Sequence, residues 1–581
     1  MNLPLFLTRT PWLTASVGFG VSVLAAITLA LFGVFFPWLT FLSLALILSS
    51  FGIALYTLFQ SKELNRLILI ALLTILSFII ATHSEPSIFT GRDQGSIGLA
   101  AWNLADNHEL AFRSPVSDAF FSIYGPGRAL NFPGFAYTET GALITQFPLG
   151  YTSFLAVFVE WFGLSGFQIG NAFLFIFSGW TFFELVSLFV TKRTAYMGTA
   201  LFATSFLPLW LTELALTENL ALFLYLALAV SLTQVYRDND ARFIPLVILL
   251  SFLFLCTRIE GFVIGAIVGA ILILTPRLRQ SLLTLPKKWT ILALLSLGFL
   301  MLRDIFINLP FYTVIGKAAL RYWQGLTQVN GGLATSDPAL GPILFSYGLF
   351  LIFLLGIGGL LFGLMKRRFT LLIPFLLAAP TLIYLINGHI SDDHPWLLRR
   401  YAFTLFPLLL LSTLCLLESI EERMKAEWKR FIIPIAFLIL FAFQIIPAWQ
   451  SLKTHEYDGL LEQSRYLGTL FTERDLLLID RTASGDPFAL LSGPLASLLR
   501  KNAVYFFNPE DYARIDRSGF DRVYLITGED SLGRYLETFG DKLLPVQTIS
   551  FHFPTLTAPK PYSFPKAVES MSDTLIFQIT E

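Results

Sequence analysis

Three long apolar runs follow one another in residues 218–275, which read ENLALFLYLALAVSLTQVYRDNDARFIPLVILLSFLFLCTRIEGFVIGAIVGAILILT. Charged residues separate the runs: Arg237 and Arg242 lie in the first gap, and Arg258 and Glu260 lie in the second. About 20 apolar residues cross a bilayer, and a charge at its hydrocarbon centre is costly. The segment therefore predicts three membrane spans, with a break at Arg258.

The same pattern extends in both directions along the chain and predicts thirteen spans. They cover residues 13–34, 37–59, 67–83, 168–190, 195–211, 218–236, 243–257, 261–275, 289–306, 342–364, 369–387, 401–418 and 431–447. The fold class expected is an all-α polytopic membrane bundle.

The composition agrees with a protein solvated by lipid. Hydrophobic residues make up 55% of the 581 residues and charged residues only 14%, and the mean hydropathy is +0.67. Soluble domains carry about 25% charged residues, so a disordered chain, a coiled coil and an ordinary cytosolic enzyme are excluded. Lys plus Arg and Asp plus Glu both total 40, so no basic field indicates a nucleic-acid partner. The two cysteines lie in apolar runs, which argues against a disulfide framework or a cysteine zinc site.

The orientation follows from the Lys and Arg residues of alternate short loops, such as those at 192–193, 287–288 and 366–368. The positive-inside rule places these loops and the N-terminus in the cytoplasm. This arrangement requires that the apolar stretch 147–163 does not span, and we predict a helix lying in the membrane interface there. The first hydrophobic stretch is predicted to be a retained span rather than a cleaved signal peptide.

Two regions are expected on the outer side of the membrane: the first long loop (residues 84–167) and the C-terminal region (residues 448–581). The predicted domains are a transmembrane module, 1–447, and a soluble extracytoplasmic α/β domain, 448–581. In the latter, Leu476–Asp480, Ala503–Phe507 and Arg522–Thr527 are predicted as parallel strands. Pro487–Arg500 and Pro509–Gly519 are predicted as the intervening helices.

Candidate functional residues all fall on the predicted outer side. Asp93, in the segment Gly91–Gly95, could cap a following helix or act as a carboxylate base at the mouth of a cavity. Glu213 and Glu218 could be solvated turn residues, or could face a cavity and assist acid–base work or divalent-cation binding. Arg258 and Glu260 could be a mutually satisfied ion pair or a functional pair at membrane depth.

The last candidates lie in residues 389–401. The acidic and histidine residues of His389–His394 match no zinc signature, and no metal site is predicted. Arg399 and Arg400 could snorkel at a helix end or bind a lipid phosphate through bidentate hydrogen bonds.

These segments resemble the GT-C superfamily of integral-membrane glycosyltransferases, which includes protein O-mannosyltransferases and aminoarabinose transferases. The likeness covers roughly residues 67–420 and rests on five motifs in the expected order. These are Gly91–Gly95 with Leu99–Leu104, Gln146–Tyr151, Thr217–Asn219, Thr257–Gly261 and Arg400–Tyr401. Two spans precede the family's usual first span, and the loop has one Asp rather than an Asp-Glu pair.

The resemblance implies a bacterial cell-envelope enzyme of the plasma (inner) membrane, with multiple spans and an extracytoplasmic C-terminal domain. Its implied reaction is inverting transfer of a monosaccharide, hexosyl or pentosyl, from a polyprenyl-phosphate sugar donor to a lipid, glycan or protein acceptor. Asp93 is implied as the catalytic base. The residues implied in substrate binding are Glu218, Arg258, Glu260, Arg399, Arg400 and Tyr401. No organic cofactor is implied, and a divalent cation stays open.

Two other functions are compatible with the same residues. A polytopic transporter or lipid flippase would also carry polar residues in the membrane, and an assembly protein would use its soluble tail to bind partners. Transporters tend to show internal repeats and broken helices near the bilayer midplane. Here the charges cluster toward one face, which favours an enzyme.

Overall fold

The computed structural model describes residues 10–309, 312–313, 316–317, 320, 340–366, 369–386, 395–557 and 563–580. Helices dominate up to residue 453, and a sheet follows in the C-terminal region. The helices of the first part are α1 (Pro11–Phe32), α2 (Pro37–Gln60), α3 (Leu64–Thr82), α4 (Asp93–Asn107), α5 (Pro115–Tyr124), α6 (Leu149–Phe162), α7 (Ser165–Ser187), α8 (Lys192–Ala203), α9 (Phe206–Glu213), α10 (Thr217–Asp238), α11 (Ile244–Leu255), α12 (Glu260–Leu274), α13 (Pro276–Leu283), α14 (Lys287–Ile307), α15 (Leu340–Ser346), α16 (Phe350–Met365), α17 (Leu372–Ala378), α18 (Ile383–Ile386), α19 (Arg399–Ala402), α20 (Leu405–Arg423) and α21 (Ala426–Lys453).

The chain is a multi-pass membrane protein. Among the described residues, seven helices are long and apolar enough to cross a bilayer, and ten spans result if each of three bent helix pairs counts as one. The bends are 89° between α12 and α13, 115° between α15 and α16, and 57° before α20. The sequence predicted thirteen spans, which is more than this. Three of the predicted spans, 195–211, 243–257 and 369–387, instead form shorter or interrupted helices.

The break predicted at Arg258 is present, because α11 ends at Leu255 and α12 begins at Glu260. The apolar stretch 147–163 forms α6, which at 14 residues is short for a span. However, every residue from Leu149 to Val159 is buried. The helix is therefore enclosed by its neighbours rather than presenting one face to an interface as predicted.

The first long loop contains α4, α5 and a small antiparallel sheet of order β1-β2-β3, formed by β1 (Gly127–Arg128), β2 (Phe135–Tyr137) and β3 (Leu143–Thr145). Ser114 begins α5 with a capping box, in which its hydroxyl accepts from the Ser117 backbone N–H at 3.1 Å. The loop is thus a folded layer.

The C-terminal region forms a five-stranded sheet of order β5-β4-β6-β8-β7. Its elements are α22 (Leu460–Thr469), β4 (Leu476–Ile479), α23 (Ser492–Ser497), β5 (Asn502–Tyr505), β6 (Val523–Gly528), α24 (Glu529–Phe539), β7 (Leu543–Thr557) and β8 (Lys566–Ile579). The three predicted parallel strands are confirmed, since β4 pairs in parallel with both β5 and β6. The predicted helix 487–500 shortens to α23, and 509–519 reduces to a 3₁₀ turn at Pro509–Arg514. The sequence reading missed α24 and the antiparallel β7–β8 hairpin.

The C-terminal region packs directly on the first long loop. A Cβ atom added to Gly493 would lie 2.7 Å from the Thr90 methyl carbon, and one added to Gly91 would lie 2.2 Å from the Phe488 carbonyl oxygen. Side chains of both regions also join one buried apolar cluster around Val116, Phe120 and Leu478. The sheet and the loop therefore bury one another.

Candidate functional site

Five separate segments meet around one cavity of about 210 Å³, which we call the arginine cavity. They are the start of α4, the start of α6, the start of α10, the α11–α12 break, and the turn before α20. The lining residues are Asp93, Ile97, Phe147, Pro148, Thr217, Glu218, Thr257, Arg258, Ile259, Glu260, Arg399 and Arg400.

Asp93 is the first residue of α4, and its side chain faces this cavity rather than capping the helix. No side-chain cap hydrogen bond is present at this helix start, where Arg92 is the cap residue. The cap interpretation of Asp93 is therefore wrong. Its Oδ2 instead lies 2.7 Å from Arg399 Nη1, and the Asp93 side chain is 43% exposed. A carboxylate that is paired and still accessible can receive a proton from a ligand.

Two glycines fix the position of Asp93. A Cβ on Gly95 would lie 1.6 Å from the Phe89 carbonyl oxygen, which no side chain tolerates. A Cβ on Gly91 would lie 2.2 Å from the carbonyl oxygen of Phe488 in the C-terminal region. The glycines of the segment Gly91–Gly95 thus allow the first turn of α4 to be clamped between two backbones, with Asp93 projecting from it.

The floor of the cavity is a buried ion-pair network centred on Arg258. Its guanidinium forms a bidentate pair with Glu260, at 2.8 and 3.1 Å, and a third contact of 2.9 Å with Glu218 Oε1. A further N–H donates to the Thr217 hydroxyl at 3.0 Å. Buried charges are stable only when paired and hydrogen-bonded, and the network engages four of the five N–H donors of Arg258.

Close backbone packing holds the turn that carries Arg258. The Gly150 N–H donates to the Cys256 carbonyl at 2.6 Å, joining the start of α6 to the end of α11. A Cβ on Gly150 would lie 2.4 Å from the Thr257 hydroxyl, and one on Gly261 would lie 2.3 Å from the Phe254 carbonyl. The network is therefore built on a rigid junction of helix ends.

Arg399 and Arg400 approach the cavity from the turn before α20. Arg399 stacks 4.1 Å over the Trp396 ring, pairs with Asp93, and lies 4.0 Å from Glu218. Arg400 reaches the Tyr384 hydroxyl at 3.4 Å. Its Nε is buried and has no hydrogen-bond partner within the described part of the chain. Arg400 therefore has an N–H group available for a ligand, whereas Arg258 and Arg399 already donate to carboxylates.

The structure brings six of the seven site residues proposed from sequence to one cavity wall. Tyr401 is not among the lining residues: it is buried behind them, and its hydroxyl donates to the Tyr384 carbonyl at 3.0 Å. Tyr384 itself was missed, although its hydroxyl donates to Glu260. Nothing in the sequence around Tyr384 marks it, since it lies in an apolar run. The His389–His394 segment lies outside the described residues.

Glu213, the other acid considered from sequence, belongs to a different cluster. Its carboxylate accepts from the Ser451 hydroxyl at 2.9 Å, and Glu85 and Glu456 line the same small pocket. Burial raises the pKa of both Glu85 and Glu456 to about 7. This cluster joins the first long loop to the start of the C-terminal region.

The carboxylates of the arginine cavity are all engaged by guanidinium groups: Asp93 by Arg399, and Glu218 and Glu260 by Arg258. Among the described residues, no group of three His, Cys, Asp or Glu side chains is arranged to hold a metal ion.

Comparison with known proteins adds evidence on the fold. No family model matches the chain, and no curated protein matches it by sequence. Among solved structures, ArnT from Cupriavidus metallidurans in the apo state matches with a TM-score of 0.50 at 10% identity, covering 89% of this chain and 98% of that one. ArnT bound to undecaprenyl phosphate matches with a TM-score of 0.51 at 10% identity, covering 88% and 97%.

A third match is the Archaeoglobus fulgidus oligosaccharyltransferase tethered to an acceptor peptide, with a TM-score of 0.52 at 13% identity. It covers 81% of this chain and 70% of that one. The likeness therefore extends through both the helical part and the C-terminal region. The resemblance predicted from the sequence motifs is confirmed at the level of the fold, and the chain has the fold of the GT-C glycosyltransferases.

Proposed function

We propose that the protein is an inverting glycosyltransferase that moves a monosaccharide from a polyprenyl-phosphate donor to an acceptor hydroxyl. The observation that carries this proposal is the arginine cavity: an accessible carboxylate, Asp93, faces two arginines at the ends of membrane helices. A lipid-linked donor would place its phosphate at the ends of the membrane helices, with its prenyl chain among the helices. The fold shared with a transferase solved with undecaprenyl phosphate supports the same class of donor.

Arg400, assisted by Arg399, binds the donor phosphate. The Nε of Arg400 has no hydrogen-bond partner among the described residues and its Nη1 has only a 3.4 Å contact, so the guanidinium has N–H donors available for phosphate oxygens. Arg258 is already paired with Glu218 and Glu260, so we assign it to the cavity floor rather than to direct phosphate contact. The network around Arg258 holds the Glu218 carboxylate 4.0 Å from Arg399, and this carboxylate helps to orient the Arg399 side chain.

Asp93 acts as the general base in a single displacement. The acceptor O–H gives its proton to the Asp93 carboxylate while the oxygen forms a bond to the anomeric carbon. The bond from that carbon to the phosphate oxygen breaks, and its electron pair leaves with the lipid phosphate. A phosphate monoester is largely deprotonated near neutral pH, so the leaving group needs positive charge rather than a proton. Arg399 and Arg400 supply that charge where it develops.

Tyr401 and Glu260 are positioning residues in this scheme. Tyr401 holds the Tyr384 backbone, and the Tyr384 hydroxyl links Glu260 to Arg400. The site is proposed to open to the extracytoplasmic side, on which the first long loop and the C-terminal domain would both lie. A cysteine introduced at position 530 that reacts only with cytoplasmic reagents would exclude this orientation.

The donor assignment is tested with undecaprenyl phosphate as the probe, bound to the purified full-length protein. We expect Arg400→Ala to lose most of the affinity and Arg400→Lys to retain part of it, because lysine keeps the charge but not the fork. Arg303→Ala is the matched control, since Arg303 donates to the Leu31 carbonyl at 2.7 Å and lies outside the cavity. Equal affinity in Arg400→Ala and wild type would show that Arg400 only snorkels at a helix end.

Transfer itself is tested with a panel of undecaprenyl-phosphate hexoses and pentoses and a membrane extract as acceptor. The expected result is sugar incorporation with release of undecaprenyl phosphate. Movement of the intact donor across a vesicle membrane without release of undecaprenyl phosphate would instead support a flippase.

A further inference from the structure

A second cavity, of about 360 Å³, lies between the first long loop and the C-terminal region. It is enclosed by α4, the β1–β3 layer, α23 and β5, and we call it the amide cavity. Leu99, Asn103, Asp106 and Asn107 line it from one face of α4, whereas Asp93 and Ile97 face the arginine cavity. Its size falls in the range of about 300–1,000 Å³ that small-molecule sites occupy.

Three buried polar atoms on its wall have no hydrogen-bond partner within the described part of the chain. They are the Thr90 hydroxyl, Asn103 Nδ2 and Asn131 Oδ1, on side chains that are 3%, 6% and 2% exposed. A buried polar group without a partner costs about 1–3 kcal/mol, and native structures hold few of them. Three such atoms on one cavity wall leave donor and acceptor positions that a bound ligand can use.

The chemistry of these atoms specifies the ligand. Asn131 Nδ2 donates to the Tyr505 carbonyl at 2.7 Å, which fixes the amide so that Oδ1 must accept. Asn103 Nδ2 must donate, and the Thr90 hydroxyl can do either. A phosphate oxygen only accepts, so it cannot satisfy Asn131. Sugar hydroxyls both donate and accept, and they satisfy all three.

The charged residues at the rim also argue against an anion. Arg500 pairs with Asp106 at 3.2 Å, and Lys501 donates to the Phe471 carbonyl at 2.8 Å. Arg113 donates to the Thr140 carbonyl and lies 3.9 Å from Asp118. Each of these cations has a partner already. The remaining walls include the rings of Phe112, Phe132 and Phe135, which present apolar surface to the C–H faces of a sugar.

We propose that the amide cavity binds a neutral carbohydrate, as a docking site for the glycan part of the acceptor. The binding itself does not depend on the transfer reaction, whereas the acceptor role rests on the proposed function. Asn103 lies ten residues beyond Asp93 in α4, which is about 15 Å along the helix. The bound sugar is therefore a unit remote from the hydroxyl that reacts.

The test uses the purified full-length protein on an array of neutral and acidic oligosaccharides. We expect retention of neutral glycans, and a loss of about tenfold or more in Asn103→Leu and in Thr90→Val, which remove polar atoms at nearly constant volume. Thermal stability should be unchanged or higher in both variants, because an unsatisfied polar group disappears. Asp93→Asn should bind glycans like wild type even if its transfer activity is lost.

Arg500→Ala and Arg474→Ala separate sugar from anion binding. Both arginines are largely exposed, and each pairs with a different aspartate: Arg474 with Asp521 and Arg500 with Asp106. Only Arg500 lines the cavity. Neither change should affect glycan retention. The proposal would be overturned if the protein retained no glycan, or if wild type, Asn103→Leu and Thr90→Val retained glycans equally. It would also be overturned if inorganic phosphate displaced the glycan and Arg500→Ala lost binding.

Discussion

Replacing Asp93 with Asn separates its proposed chemical role from its structural one. The substitution keeps the shape of the side chain and one oxygen that can accept from Arg399, but it removes the ability to take a proton. The Asp93 side chain is 43% exposed, and its 2.7 Å salt bridge with Arg399 lies at the cavity wall. An effect on folding and an effect on catalysis should therefore differ strongly in size.

The expected magnitudes follow from these contacts. A salt bridge accessible to water contributes about 0–1 kcal/mol, and an acidic residue in the first turn of a helix adds about 0.3–1 kcal/mol. Stability should thus fall by about 1 kcal/mol. A lost general base lowers the rate by about 10²–10⁴-fold, which corresponds to about 3–5 kcal/mol in the activation barrier. The catalytic effect should be several times the folding effect.

The assay measures three quantities on the purified protein: the initial rate of sugar transfer, the affinity for undecaprenyl phosphate, and the melting temperature. Asp118→Asn is the matched control, because Asp118 also lies in the first turn of a helix and pairs with an arginine at 3.9 Å, outside the cavity. Transfer by Asp93→Asn within about twofold of Asp118→Asn would refute the base assignment. A loss of donor affinity equal to the loss of rate would show that Asp93 acts by holding Arg399.

Three further outcomes are expected. Glu218→Gln should destabilise the protein by about 3–5 kcal/mol, because it leaves a buried guanidinium underpaired, and a melting temperature equal to wild type would contradict the buried network. Gly95→Ala should disrupt the start of α4, since its Cβ would meet the Phe89 carbonyl at 1.6 Å, and full activity with wild-type protease resistance would argue against this packing. Glu85 and Glu456 have a folded-state pKa of about 7, above the value of 4.5 expected in the unfolded chain. The folded state therefore binds more protons than the unfolded state between pH 4.5 and 7, and stability should fall as pH rises through this range. The double Glu→Gln variant should lose this slope in pH-dependent thermal unfolding, and an unchanged slope would show that other groups cause it.

Hydrophobic length and the position of charges predicted most of the helical part. The break at Arg258 followed from the cost of placing a charge in hydrocarbon, and α11 and α12 end and begin beside it. The three parallel strands followed from short apolar runs bounded by turns. The β7–β8 hairpin was missed because residues such as Glu569 and Asp573 lie among its apolar positions, so that the run carries little hydrophobic signal.

The burial of α6 could not be read from the sequence, because an apolar helix shows the same composition whether lipid or protein surrounds it. Likewise, a count of thirteen spans rested on apolar content. The helix Phe206–Glu213 and its neighbour α8 are separated by a short break that composition does not reveal.

The sequence by itself determined that this is a polytopic membrane protein, and it identified the acids and arginines that carry potential chemistry, because charge in a lipid-solvated chain is rare and expensive. Only the tertiary structure decided how those charges divide. In the folded protein Arg258 pairs with Glu218 and Glu260, and Arg399 pairs with Asp93. The Nε–H of Arg400 has no partner among the described residues. The reason is that pairing depends on distances of 3–4 Å between segments far apart in the chain, which no local pattern encodes.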